Sequence, residues 1–468
     1  MRRVAVGTLR IAAEQIVDRP HLRISDLTTD LARGRLDALA LDDDPRAAVR
    51  KVFDLSYNAL PPMTARAFRL LGLHPGVTIS TPAAAAVTGM SAEAVRPVLG
   101  ALADVHLIAE VGRDRFQFHD LIREYAVETA RAHESSELLE ERIRHLLGWY
   151  LHTADLSRFV IYPQTGASRF EHHDAEPDPL IFGTRDDALD WHRQEQTNLV
   201  SVLQYAVDHG HHRIAALLPN CLSIPNILNA QWATNVELAT AGLTSARRLG
   251  DEQIMLIALS SLTESLVQAG RLDKALPLLF EELSLARRRG ARREMATAHH
   301  EIGLVLHKQD LLDRAADHFL IALPLYRELD IPRGEAIMLA ELGEIAWKRG
   351  RFEEARDHLH RSLAICRESG NSWNEALFLR LSSQMSLDQG HLDEAVEHLE
   401  RSATTYAELD DLYETACTLR MLGDVLGRRG DHDRAARVLG EALAIFDSIH
   451  APEADELRAA IAGPPSAP

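Results

Sequence analysis

The hexapeptide GRLDKA at 270–275 returns as DLLDRA at 310–315, GRFEEA at 350–355, GHLDEA at 390–395 and GDHDRA at 430–435. A spacing held at 40 residues over five units leaves few folds open, because each unit must be one piece of supersecondary structure used again and again. Ahead of each hexapeptide stands a pair ending in a small residue: Leu262-Thr263, Ile302-Gly303, Leu342-Gly343, Ser382-Ser383 and Leu422-Gly423. Within and after it come Ala275, Ala315, Ala355, Ala395 and Ala435, then Leu279, Phe319, Leu359, Leu399 and Leu439, then Ala286, Tyr326, Cys366, Tyr406 and Phe446. Small residues on one helix let a second approach, and the large apolar ones fill the space between neighbours. A Gly-x-x-Asp/Glu turn ends the first helix and places a carboxylate near the positive start of the second. Such a hairpin cannot bury its own apolar face, so hairpins must stack.

The pattern resembles the tetratricopeptide repeat in a lengthened form. Five units fit from about 252 to 450 without insertion, and NVELATAGLTSARRLG at 235–250 aligns one period earlier as part of a sixth. The sequence EADELRAAIAGPPSAP then predicts a short capping helix and a disordered Pro/Ser tail.

Upstream the periodicity changes. Helical patterns run over 46–56, 62–73, 81–89 and 91–104, and HLIAEVGRDRFQFHD reads as a two-stranded hairpin around a Gly-Arg-Asp turn. Three helices and a hairpin predict a winged-helix module. DNA binding does not follow, because helix 91–104 carries Glu93 and Asp104 against Arg96 alone. Any phosphate contact from this module would fall to Arg96 and to Arg113 and Arg115 in the wing.

A wider resemblance is carried by VRKVFDLSYNALPPMTARAFRLLGLHPG, RFQFHDLIREYAVETA and ALDWHRQEQTNLVSVLQYAVDHG, followed by the repeats. From about residue 5 to 455 the chain is similar to the C-terminal half of AfsR/SARP-type bacterial regulators, in the NB-ARC branch of the STAND signalling ATPases. The resemblance implies a helical remnant of the NB-ARC small domain over 1–45, a winged helix over 46–133, a helical connector over 134–230, a repeat solenoid over 231–455 and a disordered tail over 456–468. Phe118-His119-Asp120 matches the family's Met-His-Asp motif, which would turn His119 toward the β-phosphate of ADP with Asp120 orienting the segment. The sequence has no GxxxxGK[ST] loop and no apolar strand ending in paired acids, and MRRV stands where the family has its Gly-Leu-Pro-Leu segment. No cofactor is therefore expected, ADP being possible only with a nucleotide-binding domain supplied by another polypeptide.

A formal charge of -18, from 69 acidic and 51 basic residues, opposes phosphate backbones and anionic membranes. Three scattered cysteines, Cys221, Cys366 and Cys417, suit a reducing cytoplasm, and no run is long enough to span a membrane. Histidines cluster at 171–174, 209–212 and 358–360, in polar loops or on opposite sides of a helix, so no metal site is expected. Nucleophile elbows and HExxH helices are missing too, and the expectation is a non-enzyme.

A solenoid offers the face of the first helix of each hairpin. The positions that the resemblance turns inward are Glu264, Gln268, Leu304, Lys308, Glu344, Trp347, Lys348, Arg380, Gln384, Arg420, Asp424 and Arg428. Trp347 reads either as a binding hot spot or as packing between repeats. Arg380, Arg420 and Arg428, with Lys348, would suit an acidic peptide or a C-terminal carboxylate. The expectation is a mainly all-α chain, a winged helix followed by about five to six 40-residue hairpins, serving as a regulatory protein-interaction module. The alternatives are an ADP-responsive switch completed in trans and a winged-helix DNA-binding regulator.

Overall fold

The structure is a computed structural model and describes residues 53–54, 56–161, 178–228, 232–449 and 451–462. The remnant expected over 1–45 lies outside these residues, as does the 171–174 histidine cluster. The chain divides into two compact units, residues 1–270 and 271–468.

Among the described residues of the first unit, α1 (Pro62–Leu71) is followed by strand β1 (Thr78–Ser80), α2 (Thr81–Thr88) and α3 (Ala92–Asp104), then β2 (Ala109–Gly112), β3 (Arg115–Gln117) and α4 (Asp120–His133). Side chains of Ser80 and Ser91 cap α2 and α3 by accepting from Ala83 and Ala94 N–H. The sheet has three strands in the order β1-β3-β2, all antiparallel, and not the two expected. Ile79 pairs with Phe116, and a register shift between Glu110 and Gly112 interrupts the β2–β3 ladder before Gly112 pairs with Arg115. Phe53, Tyr57, Phe68, Phe118 and Tyr125 pack together tilted or edge-on, with ring centroids 5.6 to 6.2 Å apart.

Helices α5 (Ser136–Ile161), α6 (Arg185–Asp208), α7 (His212–Leu228), α8 (Trp232–Leu249) and α9 (Glu252–Gln268) complete this unit. Helices α7 and α8 form a hairpin: a Cβ on Gly242 would lie 3.3 Å from Ala215 O, and Asn235 Nδ2 donates to Ser223 O at 3.1 Å. The boundary expected at 230/231 therefore cuts a hairpin. The sequence match at 235–250 caught only its second helix, because α7 carries none of the repeat's turn residues.

The second unit is α10 (Leu272–Arg289), α11 (Arg292–Lys308), α12 (Leu312–Glu328), α13 (Pro332–Lys348), α14 (Phe352–Glu368), α15 (Ser372–Asp388), α16 (Leu392–Glu408), α17 (Leu412–Arg429), α18 (His432–Ser448) and α19 (Glu453–Ala462). A left-handed residue recurs every twenty positions. It is glycine at 270, 290, 350, 370, 390 and 430, and aspartate at 310, 330 and 410, with φ between 51° and 89°. After it the next N–H reaches back five residues, as from Arg351 to Ala346 O at 2.8 Å and from Asp411 to Tyr406 O at 3.0 Å. That bond closes the helix end as a Schellman turn. Aspartate tolerates the left-handed region better than most non-glycine residues.

The hairpin contacts follow the repeat. Ala315, Ala355 and Ala395 are fully buried, as are Phe319, Leu399, Tyr406 and Phe446. Buried Ser362 and Ser402 each donate to a carbonyl of the facing first helix, Ala336 O at 2.7 Å and Ala376 O at 2.8 Å. The disordered tail expected from 456 does not begin there, because α19 runs to Ala462, and 463–468 lie outside the described residues. Ala454 and Leu457 are buried in the terminal core with Phe446, and that apolar contact holds the helix on.

Candidate functional site

In the second unit the first helix of each hairpin is α11, α13, α15 or α17. On these helices Gly303, Gly343, Ser383 and Gly423 face inward onto the partner helix, which turns the residue after each one, Leu304, Glu344, Gln384 and Asp424, away from it. Those four are half-exposed or exposed, and so is the outer end of each helix, where Lys308, Lys348 and Arg428 are exposed. Glu264 is half-exposed and Gln268 exposed in the first unit. Trp347 is half-buried and packs on the core cluster of Ala340, Ala346, Leu359 and Phe378, which uses its ring for packing between repeats.

Two of the four cations expected to make a positive wall toward the C-terminal end, Arg380 and Lys348, are paired within the chain. Arg380 donates to Glu414 at 2.5 Å and lies over the Tyr406 ring with 5.8 Å to its centroid. Lys348 Nζ lies 2.9 Å from Glu344 Oε1. Arg420 is half-buried and Arg428 exposed, with exposed Asp424 on the same helix. The sequence missed Glu414 because it lies 34 positions from Arg380 and outside the inward-facing set.

The repeat spacing also assembles a group that runs of histidine did not reveal. His307 on α11 meets Glu341 and Glu344 on α13: Nδ1 is 3.1 Å from Glu341 Oε2 and Nε2 is 3.5 Å from Glu344 Oε1. The signal in the sequence is a separation of 34 and 37 residues, close to the repeat period.

The wing arginine Arg115 has another role than the one expected of it. Its guanidinium donates to Glu195 Oε1 at 2.7 Å and to Thr78 Oγ1 at 2.7 Å. Glu195, on α6, is fully buried and accepts in addition from Tyr150 Oη at 3.0 Å and Asn198 Nδ2 at 2.6 Å. Asn198 also donates to Thr78 O at 2.9 Å and accepts from Val77 N–H at 3.0 Å. His74 completes the chain at 2.9 Å from Tyr150 Oη. Burial, reinforced by Arg123, pulls the His74 imidazole down to about 3, and burial beside Glu195 pushes the Tyr150 phenol well above its ordinary range. The network pins the sheet to α5 and α6 and occupies the wing cation. Arg96 pairs with Asp114 at 3.4 Å on the surface.

His119 and Asp120 are exposed at the start of α4. The His119 side chain makes no capping bond, and its carbonyl accepts from Ile122 and Arg123 N–H at 2.9 Å. Asp120 borders a small cavity of about 70 Å³ lined also by His74, Gln117, Phe118 and Arg123. Arg123 closes one wall by donating to Gly76 O at 3.2 Å.

A tetratricopeptide-repeat family profile matches residues 294–368 and 374–448. The regulatory protein AfsR of Streptomyces griseus is 34% identical over 212 residues, 44% of this chain and 21% of its own length. The AfsR of Streptomyces coelicolor is 41% identical over 152 residues, 31% of this chain and 15% of its own. The matched stretch thus spans about a fifth or less of those relatives. Among solved structures, a STAND protein with a tetratricopeptide repeat sensor from Pyrococcus horikoshii aligns with 93% of this chain and 70% of its own, at 14% identity and a TM-score of 0.42. A Rap conjugation gene regulator of plasmid pLS20, in complex with the Phr* peptide, aligns with 82% and 96%, at 14% identity and a TM-score of 0.43. Residues 294–368 and 374–448 are tetratricopeptide repeats, and part of the chain is similar in sequence to the AfsR regulatory proteins. Among the described residues, no helix is long and apolar enough to cross a membrane.

Proposed function

We propose that this chain, a repeat protein related to AfsR-type regulators, is a non-catalytic interaction module that binds a protein or peptide on the first-helix face of its hairpins. One observation carries the reading. Leu304, Glu344, Gln384 and Asp424 occupy one position of successive repeats and stay accessible, while the flanking residues on the same helices are consumed by stacking. A face kept open at regular spacing suits an extended ligand running across the repeats. With Lys348 and Arg380 neutralised, the cations that would meet a carboxylate of the ligand are Arg420 and Arg428. A cytoplasmic regulator is the setting that fits this reading. The pairing of half-buried Arg115 with Glu195 weighs against DNA contact by the wing.

The test is a selection of peptides from a random library on the full chain, followed by binding to variants by fluorescence anisotropy. Gln384→Arg and Asp424→Arg are expected to weaken selected peptides at least tenfold, while Glu353→Arg on a second helix leaves them unchanged. Binders that respond to Glu353→Arg and ignore the first-helix changes would overturn the reading.

A second reading is ADP-responsive switching with a nucleotide-binding domain in trans, His119 toward the phosphate and Asp120 orienting the segment. It is favoured by the exposure of His119 at the start of α4. ADP would then raise the melting temperature of the assembled pair and not that of the His119→Ala pair. Equal shifts with both would remove it.

A further inference from the structure

The His307 group has an internal logic that points to a metal ion. Lys348 Nζ is 2.8 Å from His307 Nε2 and 2.9 Å from Glu344 Oε1. An ammonium only donates, so Nε2 must present its lone pair, and the ring proton sits on Nδ1. There it is 3.1 Å from Glu341 Oε2, which accepts it. A carboxylate on one imidazole nitrogen, and a cation shared by the other nitrogen and a second carboxylate, is the arrangement by which proteins hold a metal-ligating histidine. The cation here is the lysine. The His307 side chain is only 9% exposed, and Glu341 and Glu344 are 20% and 26% exposed, so the ligands are held by packing on two helices. The potential ligand atoms of His307, Glu341 and Glu344 all lie within 4.8 Å of one another. Lys348 is 40% exposed and can swing into solvent.

We propose that His307 Nε2 and Glu344, with Glu341 orienting the imidazole, form a site for a divalent transition-metal ion of the zinc, cobalt or nickel class, and that Lys348 is its built-in competitor. Imidazole with carboxylate suits these ions, with water filling the remaining positions. On binding, the ion takes the Nε2 lone pair and a Glu344 oxygen, and Lys348 leaves with its proton. Two carboxylates against one ammonium leave a net charge of -1 that a divalent ion cancels more fully. Because α11 and α13 belong to successive repeats, the bound ion would tie one hairpin to the next on the face that the proposed partner uses. The site stands independently of that partner's identity.

The experiment is equilibrium dialysis and visible absorption of the full chain with Co²⁺, with each variant's fold checked by circular dichroism. Among 23 histidines some will bind cobalt adventitiously, so the comparison between variants decides. His307→Ala should remove one equivalent of bound cobalt, Glu344→Gln should weaken that equivalent, and Lys348→Met should tighten it on the order of tenfold by removing a competing charge. If His307→Ala unfolds, Glu344→Gln and Lys348→Met alone give the answer. Cobalt binding that is the same in wild type, Glu344→Gln and Lys348→Met would mean adventitious histidines only and would overturn the proposal.

Discussion

The stacking of hairpins turns on one small residue per first helix, and Gly303 tests it most sharply. An added Cβ there would sit 2.6 Å from Cδ1 of Phe319, whose ring is fully buried and cannot move aside. Forcing such a contact costs about 2 to 3 kcal/mol, while replacing a helical glycine by alanine returns about 1 kcal/mol. The net loss for Gly303→Ala is then roughly 1 to 2 kcal/mol, a fall of about 4 °C in the melting temperature of a unit of this size. At Gly343 the same Cβ would meet Leu359 Cγ at 3.2 Å and Ala355 O at 3.3 Å. That mild crowding nearly balances the propensity gain, so Gly343→Ala should shift melting by less than about 2 °C. Circular dichroism at 222 nm with urea and thermal scans reads both. A Phe319→Leu background should remove most of the Gly303→Ala penalty, as expected for residues in direct contact. Equal effects at the two glycines, or an unchanged penalty in the leucine background, would refute the contact as the cause.

Arg115→Ala leaves the Glu195 carboxylate buried without its cation, and a loss of about 3 to 5 kcal/mol is expected in the first unit by urea denaturation; a loss below 1 kcal/mol would show that Glu195 is solvated. His74 and His192 are held near 3 by burial, and His299 and His300 near 4. All are neutral in both states above the unfolded value of 6.5. As pH falls below it the unfolded chain takes up protons first, so stability declines from about pH 6.5 toward pH 4, by roughly 2 kcal/mol at pH 5 for each of His74 and His192. Urea midpoints between pH 8 and 5 check this, and a flat profile would contradict the burial. Leu457→Ala should cost about 2 to 4 kcal/mol in the second unit and free the last helix to exchange its amides; unchanged exchange there would mean that α19 does not depend on its apolar contact.

The repeats were legible because their information is local and periodic. Ala315, Phe319 and Tyr326 repeat at a fixed spacing, and the turns name themselves by glycine, with aspartate substituting at 310, 330 and 410. What the sequence hid depends on partners far along the chain. Arg115 reads as a wing cation until Glu195, 80 residues on, takes it. The strand at Thr78–Ser80 is three residues long and too short for alternation to show. The first helix of the hairpin before the array, α7, lacks the turn residues that mark the others. Leu457 lies beyond the last repeat, where only the neighbouring hairpin says that it is buried. His307, Glu341 and Glu344 form a group only once two repeats are stacked, so no search of adjacent residues finds them.

The proposed function puts the ligand on the first helices of the hairpins. Hydrogen exchange of the full chain, free and saturated with a selected peptide, measures this residue by residue. Added protection is expected only over 297–308, 337–348, 377–388 and 417–428. Protection concentrated on the second helices, 312–328, 352–368, 392–408 and 432–448, would contradict it.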